Sequence, residues 1–263
     1  MKLIISAITW ESLLQSGMKQ WELIKLAKKL GCQGVEFRQY WKDIEVEVPH
    51  IRALLAEEQM VCTYACNEGL LAPTRESTEQ SLKMITNHIG VACSLGAKAL
   101  RINIAAGLFN EAFINASWWR QAVTGVMAEA SAQKMLIVVE NGPDQHKSKI
   151  QLVQKLLKAV NSPWLKLTYD TGNWIYAGEV PEEALTILES EIGYVHLKDI
   201  IEKPDGSRSH SYLGTGLVDV RGLARKIIAG GYQGLLALEF PGGEDPILRV
   251  KHSIQYLHKV AID

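Results

Sequence analysis

The sequence predicts a single-domain α/β fold, a closed (β/α)8 barrel of the TIM type spanning residues 1–263, and three observations carry that expectation. Eight short apolar runs follow one another along the chain. Longer segments with apolar spacing near 3.6 separate them. Eight such units in about 250 residues is the size of a closed barrel, with an open doubly wound sheet as the alternative. Strands that alternate with helices pair in parallel through right-handed crossovers. Nothing along the chain reads as an interdomain linker.

The runs, in order, are LIISAI (3–8), GVEFR (34–38), VCTYAC (61–66), ALRINI (99–104), MLIVVE (135–140), LKLTYD (165–170), GYVHLK (193–198) and GLLALEF (234–240). The segment MKQWELIKLAKKLG (18–31) turns Trp21, Ile24, Leu26 and Ala27 to one side and its lysines to the other. In 74–96 the stripe is Leu82, Ile85, Ile89, Ala92 and Cys93. Gly31 and Gly96 follow predicted helix ends, and Pro181 and Pro246 stand at helix starts.

Composition narrows the function. The chain is 47% hydrophobic and 22% charged with a formal net charge of -1, so nucleic acid and anionic membrane surfaces are not expected partners. Trp10 and Glu11 interrupt the first apolar stretch, which does not read as a secretion signal. No run approaches the roughly 18 apolar residues of a membrane span. Cys32, Cys62, Cys66 and Cys93 lie in apolar segments without zinc-finger spacing and read as reduced core thiols of a cytoplasmic protein.

The chemistry sits at strand ends. The fifth strand ends at Glu140, the sixth at Asp170 and the eighth at Glu239, and the seventh carries His196 near its end. In a barrel those ends converge on the mouth that holds the active site. Period-two alternation puts Leu136 and Val138 on the face of Glu140, Leu235 and Ala237 on that of Glu239, and Tyr194 on that of His196. A single strand-terminal acid is more often a helix cap than a ligand, and a lone strand histidine is more often a satisfied core residue. Four in succession on neighbouring strands are hard to obtain from capping. Three carboxylates and one imidazole in a partly buried mouth repel one another unless a cation joins them. That set suits Mn²⁺ or Mg²⁺, with Co²⁺ or Zn²⁺ as alternative occupants.

Other residues fall at the same end. Glu36 and Arg38 share a face, as do Arg101 and Asn103; each pair lines the cavity, or Glu36 and Arg101 neutralise one another as a structural ion pair, the favoured reading. Asn67 and Glu68 end the third strand within reach of a substrate. Trp10 either stacks on a sugar face or packs under a loop. Lys198, on the face of His196, is a donor to a substrate oxygen or a solvated lysine. The stretch LGTGLVD (213–219) offers backbone amides for a phosphate, but more readily forms a tight turn with Asp219 capping the next helix. His50, His88, His146, His252 and His258 read as surface residues, and Trp118 and Trp119 pack on the barrel or in a subunit contact.

The motifs VVEN, YDTGN, VHLKD, LGTGLVD and LEF resemble those of the xylose isomerase-like barrel superfamily across essentially the whole chain. The likeness is to the branch with tagatose and psicose 3-epimerases, hydroxypyruvate isomerase and inosose dehydratase. The resemblance implies that Glu140, Asp170, His196 and Glu239 bind one divalent metal, commonly manganese. Glu140 and Glu239 then move protons on opposite sides of a small sugar, beside a metal-bound carbonyl, through an enediolate. Asn173 stands where the branch usually has a substrate-contacting histidine. The arginine common after the seventh-strand histidine is missing, leaving Arg208 or His210 as substitutes from elsewhere. Homo-oligomers are suggested by the resemblance alone. A metal-dependent lyase that eliminates water is the alternative activity. An apurinic-endonuclease-like phosphodiesterase and a non-catalytic sugar-binding barrel rank below it, since strands two to four offer no extra histidine ligands and the metal-capable set is complete.

Overall fold

In the computed structural model, which describes residues 1–258, the eight apolar runs form parallel strands closed into one barrel. These are β1 (Lys2–Ser6), β2 (Gly34–Phe37), β3 (Val61–Leu71), β4 (Leu100–Ala105), β5 (Ile137–Glu140), β6 (Leu165–Asp170), β7 (Ile192–Leu197) and β10 (Leu235–Leu238). Around the ring they run β1-β10-β7-β6-β5-β4-β3-β2. An antiparallel hairpin, β8 (Asp199–Glu202) and β9 (Arg208–Ser211), follows β7 directly. The outer ring comprises α1 (Glu11–Gln15), α2 (Glu22–Lys29), α3 (Ile44–Glu58), α4 (Arg75–Leu95), α5 (Ser117–Gln133), α6 (Ile150–Val160), α7 (Pro181–Leu188), α8 (Val220–Ala229) and α9 (Pro246–His258). Among the described residues no helix is long and apolar enough to cross a membrane.

Strand alternation divides the core in two. Ile4, Ala99, Val138, Tyr194 and Ala237 fill the barrel axis, with Val61, Leu136 and Leu235 packed against them. Their neighbours, such as Val35, Val139, Leu167 and Leu236, face the helices. Fully burying each such side chain contributes about 1.5–3 kcal/mol. The inner-face residues named from the sequence therefore do line the axis, and the next inward position along each strand carries a polar group.

Local chemistry sets the boundaries. The Thr74 side chain accepts from the Ser77 amide while Ser77 returns the bond to the Thr74 amide, a reciprocal cap that starts α4. Asp219 caps α8 through the Gly222 amide, as the sequence predicts. In α2 the buried stripe is Leu23, Ile24 and Ala27, with Leu26 only half-buried.

Two elements depart from the sequence reading. The first strand stops at Ser6 and continues as a 3-10 turn, Ala7–Trp10, that buries Trp10 in the core. β3 does not end at Asn67 and Glu68 but runs on to Leu71 across an irregular register between Ala65 and Gly69. The glycine is required there, because a Cβ on Gly69 would sit 2.5 Å from the Ala105 Cα.

In the glycine-rich turn after β9, the Leu213, Thr215, Gly216, Leu217 and Val218 amides are already engaged within the chain. Asp199 Oδ2 accepts from the Thr215 and Gly216 amides at 3.0 and 2.7 Å, and Oδ1 accepts from Val218 at 3.0 Å. The turn is held closed by a buried carboxylate.

Candidate metal centre

The register brings the four strand-end groups together. Asp170 on β6 pairs in register with His196 on β7, which pairs with Ala237, two residues before Glu239 on β10. Glu140 ends the next strand round, so the ring order is Glu140, Asp170, His196, Glu239. Each offers one ligand atom, and those atoms lie within 4.8 Å of one another. None of the four residues is more than 6% exposed.

Asp170 serves two purposes. Its Oδ1 accepts from the Gly172 and Asn173 amides at 2.9 and 2.8 Å, bracing the entry to the 3-10 turn Asn173–Ala177. Its Oδ2 is buried, makes no hydrogen bond, and lies 3.0 Å from the Lys198 ammonium. Asn141, one residue past Glu140, fixes the strand end by accepting the Asp170 amide at 3.0 Å.

His196 spans two carboxylates. Nε2 lies 2.8 Å from Glu36 Oε2, and Nδ1 lies 2.8 Å from Glu140 Oε1 and 3.9 Å from Asp170 Oδ2. Glu36 is itself held by the Ser6 hydroxyl at 2.7 Å, the Tyr194 hydroxyl at 3.0 Å and the Arg38 guanidinium. A carboxylate fixed on Nε2–H leaves Nδ1 as the ring nitrogen directed at the cluster. Burial would lower the imidazole pKa, but Glu36 and Glu140 reverse that and raise it to about 10.

Three basic side chains complete the charge pattern. Arg101 pairs with Glu140 Oε2 at 3.0 Å, Arg38 with Glu239 Oε1 at 2.6 Å, and Lys198 bridges Asp170 and Glu239. Burial alone would raise Glu140; Arg101, His196 and Lys198 outweigh it and hold the carboxyl at about 2. Glu239 is likewise held low against burial by Lys198 and Arg38. Asp170 is the exception, since burial raises it to about 7, with Lys198 opposing and Glu140 and Glu239 reinforcing the rise.

These residues fit a divalent cation. Three carboxylates and an imidazole nitrogen converge in a buried space, where Asp170 Oδ2 faces the Lys198 ammonium at 3.0 Å without a well-aligned hydrogen bond. The oxygen-rich set suits a hard or borderline ion. Lys198 supplies positive charge at that point, so an ion held by all four must displace its ammonium.

The other predicted residues divide into two groups. Glu36, Arg38 and Lys198 touch the cluster directly. The Glu36–Arg101 pair expected from the sequence does not form: Glu36 bonds Arg38 and His196, while Arg101 bonds Glu140. Asn173 is fully buried and donates to the Asn141 carbonyl at 2.6 Å. Asn103 bonds the Arg101 guanidinium and the exposed Asn67 carbonyl. Arg208 is exposed on β9, bonded to Glu202 and the Ile175 carbonyl rather than to the cluster. His88, expected at the surface, is buried on α4. His210 packs edge-on against Tyr176, and its Nε2 is buried without a partner. Burial and Lys198 lower its pKa to about 4.

Glu36→Gln tests the outer support. The amide still fills the space but replaces the charge that holds His196, so divalent-metal affinity should fall about 10–100-fold. Competition calorimetry with a chelator reads this directly, and unchanged affinity would remove Glu36 from the site.

The xylose isomerase-like TIM barrel family matches residues 24–260. Solved structures with the same fold include the IOLI protein with a bound zinc atom, at 15% identity and a TM-score of 0.80, covering 100% of this chain and 97% of that one. D-psicose 3-epimerase with D-tagatose, from Clostridium cellulolyticum H10, aligns at 14% identity and 0.79, covering 99% of each. The probable 3-DHS dehydratase AsbF from Bacillus anthracis aligns at 17% and 0.76, covering 98% of this chain and 99% of its own. No curated protein matches the sequence. On the family match, the chain is a member of the xylose isomerase-like TIM barrel family.

Proposed function

We propose that the protein is a divalent-metal-dependent isomerase or epimerase of a small sugar or sugar derivative. It acts by moving a proton at the carbon beside a carbonyl, with Glu140 and Glu239 as the acid–base pair. The observation that carries this reading is the convergence of three carboxylates and one imidazole at the buried mouth of the barrel. Likeness to an epimerase solved with a ketose supports it.

Glu140, Asp170, His196 and Glu239 would hold the ion, Mn²⁺ or Mg²⁺ by donor type, which when bound supplies positive charge beside the developing oxyanion. The chain's own groups do the rest. Glu140 at the end of β5 and Glu239 just past β10 stand at the two flanks of the cluster, with Asp170 and His196 between them. Both are held ionised at neutral pH, ready to accept a proton. Arg38 fixes the orientation of Glu239, and Arg101 that of Glu140. Lys198, once released from Asp170 and Glu239, is free to donate to a substrate oxygen. Near-complete burial excludes water from the reacting carbon. It also requires the cover to move for a substrate to enter. Hairpin β8–β9, linked to the Asn173–Ala177 turn through Arg208 and His210, is the segment placed to do so.

A lyase that eliminates water is the second reading, supported by likeness to a probable dehydratase and by chemistry that begins with the same proton removal. One experiment separates them. Metal-reconstituted protein is incubated in deuterated water with a panel of ketoses and inososes. Deuterium at carbon without new ultraviolet absorbance is the expected result. An absorbing unsaturated carbonyl indicates the lyase, and exchange that survives complete metal removal would overturn the metal-dependent mechanism.

A further inference from the structure

A second group of metal-capable atoms meets at the far end of β3. Cys66, Glu68 and His88 each offer one ligand atom, again within 4.8 Å of one another. Cys66 and Glu68 are two residues apart on the strand, beside its irregular register, and α4 brings His88 to them. The thiol is fully buried and the imidazole 8% exposed.

His88 and the Gln39 amide converge on the Glu68 carboxylate. The Asn67 amide donates to Gln39 Oε1 at 2.8 Å, which fixes the Gln39 amide and makes its nitrogen the donor toward His88 Nε2 at 3.0 Å. The same Nε2 lies 3.1 Å from Glu68 Oε2, which only accepts. With Nε2 protonated, Glu68 accepts from the ring and from the Gln39 amide, whose nitrogen lies 3.4 Å from both carboxylate oxygens. Meanwhile Nδ1 lies 3.2 Å from the Tyr64 hydroxyl, an outer partner able to hold the ring with Nδ1–H and leave Nε2 as a ligand.

We propose that Cys66, Glu68 and His88 form a second divalent-metal site, specific for ions of the zinc class and separate from the four-ligand cluster. A cation takes the place of the Nε2 proton between Glu68 and the ring, whose remaining proton then sits on Nδ1 toward the Tyr64 hydroxyl. Binding releases the Cys66 thiol proton to solvent, so the site contributes thiolate sulfur, imidazole nitrogen and carboxylate oxygen. That set selects a borderline-soft ion over Mn²⁺ or Mg²⁺. Gln39 can supply a further oxygen by turning its amide away from the backbone of Asn67, an exposed residue. Arg101 stands between the two sites, donating to the Cys66 carbonyl at 3.1 Å and pairing with Glu140.

Cobalt tests this independently of any activity. Metal-stripped full-length protein is titrated anaerobically with Co²⁺ while the near-ultraviolet spectrum is recorded. The four-ligand cluster contains no sulfur, so a thiolate-to-cobalt charge-transfer band reports Cys66. The band should saturate at micromolar cobalt, be displaced by Zn²⁺, persist in Asp170→Asn and vanish in Cys66→Ser. Should Cys66→Ser fail to fold, His88→Gln is expected to weaken the band's half-saturation at least tenfold. Absence of the band in the wild type, its appearance only at millimolar cobalt, its survival in Cys66→Ser, its loss in Asp170→Asn or an unmoved half-saturation in His88→Gln would each overturn the proposal.

Discussion

Glu239→Gln is expected to fold as the wild type does and to lose substrate proton exchange by about 10²–10⁴-fold, the usual contribution of a positioned acid or base. Glutamine keeps the size of the side chain and one oxygen for the Arg38 guanidinium. Arg38 also retains Glu36 as an ionic partner at 3.1 Å and Lys198 retains Asp170 at 3.0 Å, so no buried cation is stranded. What is lost is the ionised oxygen proposed to take the proton. Glu140→Gln should lose exchange by a similar factor but with a structural cost added. Glu140 is the carboxylate that pairs with buried Arg101, and removing one member of a buried pair costs about 3–5 kcal/mol. The two variants therefore separate chemistry from stability. Single-turnover exchange in deuterated water, read by mass spectrometry beside thermal melts, distinguishes them. A Glu239→Gln protein that exchanges at the wild-type rate would end the assignment of Glu239 as acid or base.

The barrel was legible because its two periods survive in the sequence with little interruption. Leu136, Val138 and Glu140, or Leu235, Ala237 and Glu239, place a polar group at the end of an apolar inward face whatever the neighbouring strands do. The same pattern yields the four metal-capable groups at one mouth. Partnerships across the ring were not legible. Pairing Glu36 with Arg101 matches opposite charges inside the barrel without knowing which strands face each other across it, whereas the folded ring gives Glu36 to His196 and Arg38. His88 escaped notice because polar residues on a helical stripe read as surface. Here α4 packs that stripe on β3, where Tyr64 and Glu68 receive it. The continuation of β3 past Asn67 was hidden because Gly69, which reads as a strand breaker, is the residue that lets the strand pass Ala105.

Lys198→Met is the sharpest test of how the cluster is balanced without metal. The ammonium is buried, lies 3.0 Å from Asp170 Oδ2 and contacts Glu239, and is held charged against burial by these two acids. Methionine preserves much of the packing and removes the charge. Two carboxylates then face each other with their shared counter-charge gone, at a cost of about 3–5 kcal/mol. For a chain of this length that is a fall in melting temperature on the order of 10 °C. A divalent ion supplies the missing charge and, in the variant, has no ammonium to displace. Its binding energy adds to stability, by about 4 kcal/mol at a thousandfold excess over Kd. The variant should therefore melt well below the wild type after chelation and close to it with saturating Mn²⁺, and its metal-induced shift should be the larger of the two. Equal melting temperatures without metal would show that Lys198 is not the counter-charge. A deficit that Mn²⁺ leaves untouched would assign the loss to packing, and with it would go the claim that ammonium and ion compete for one place.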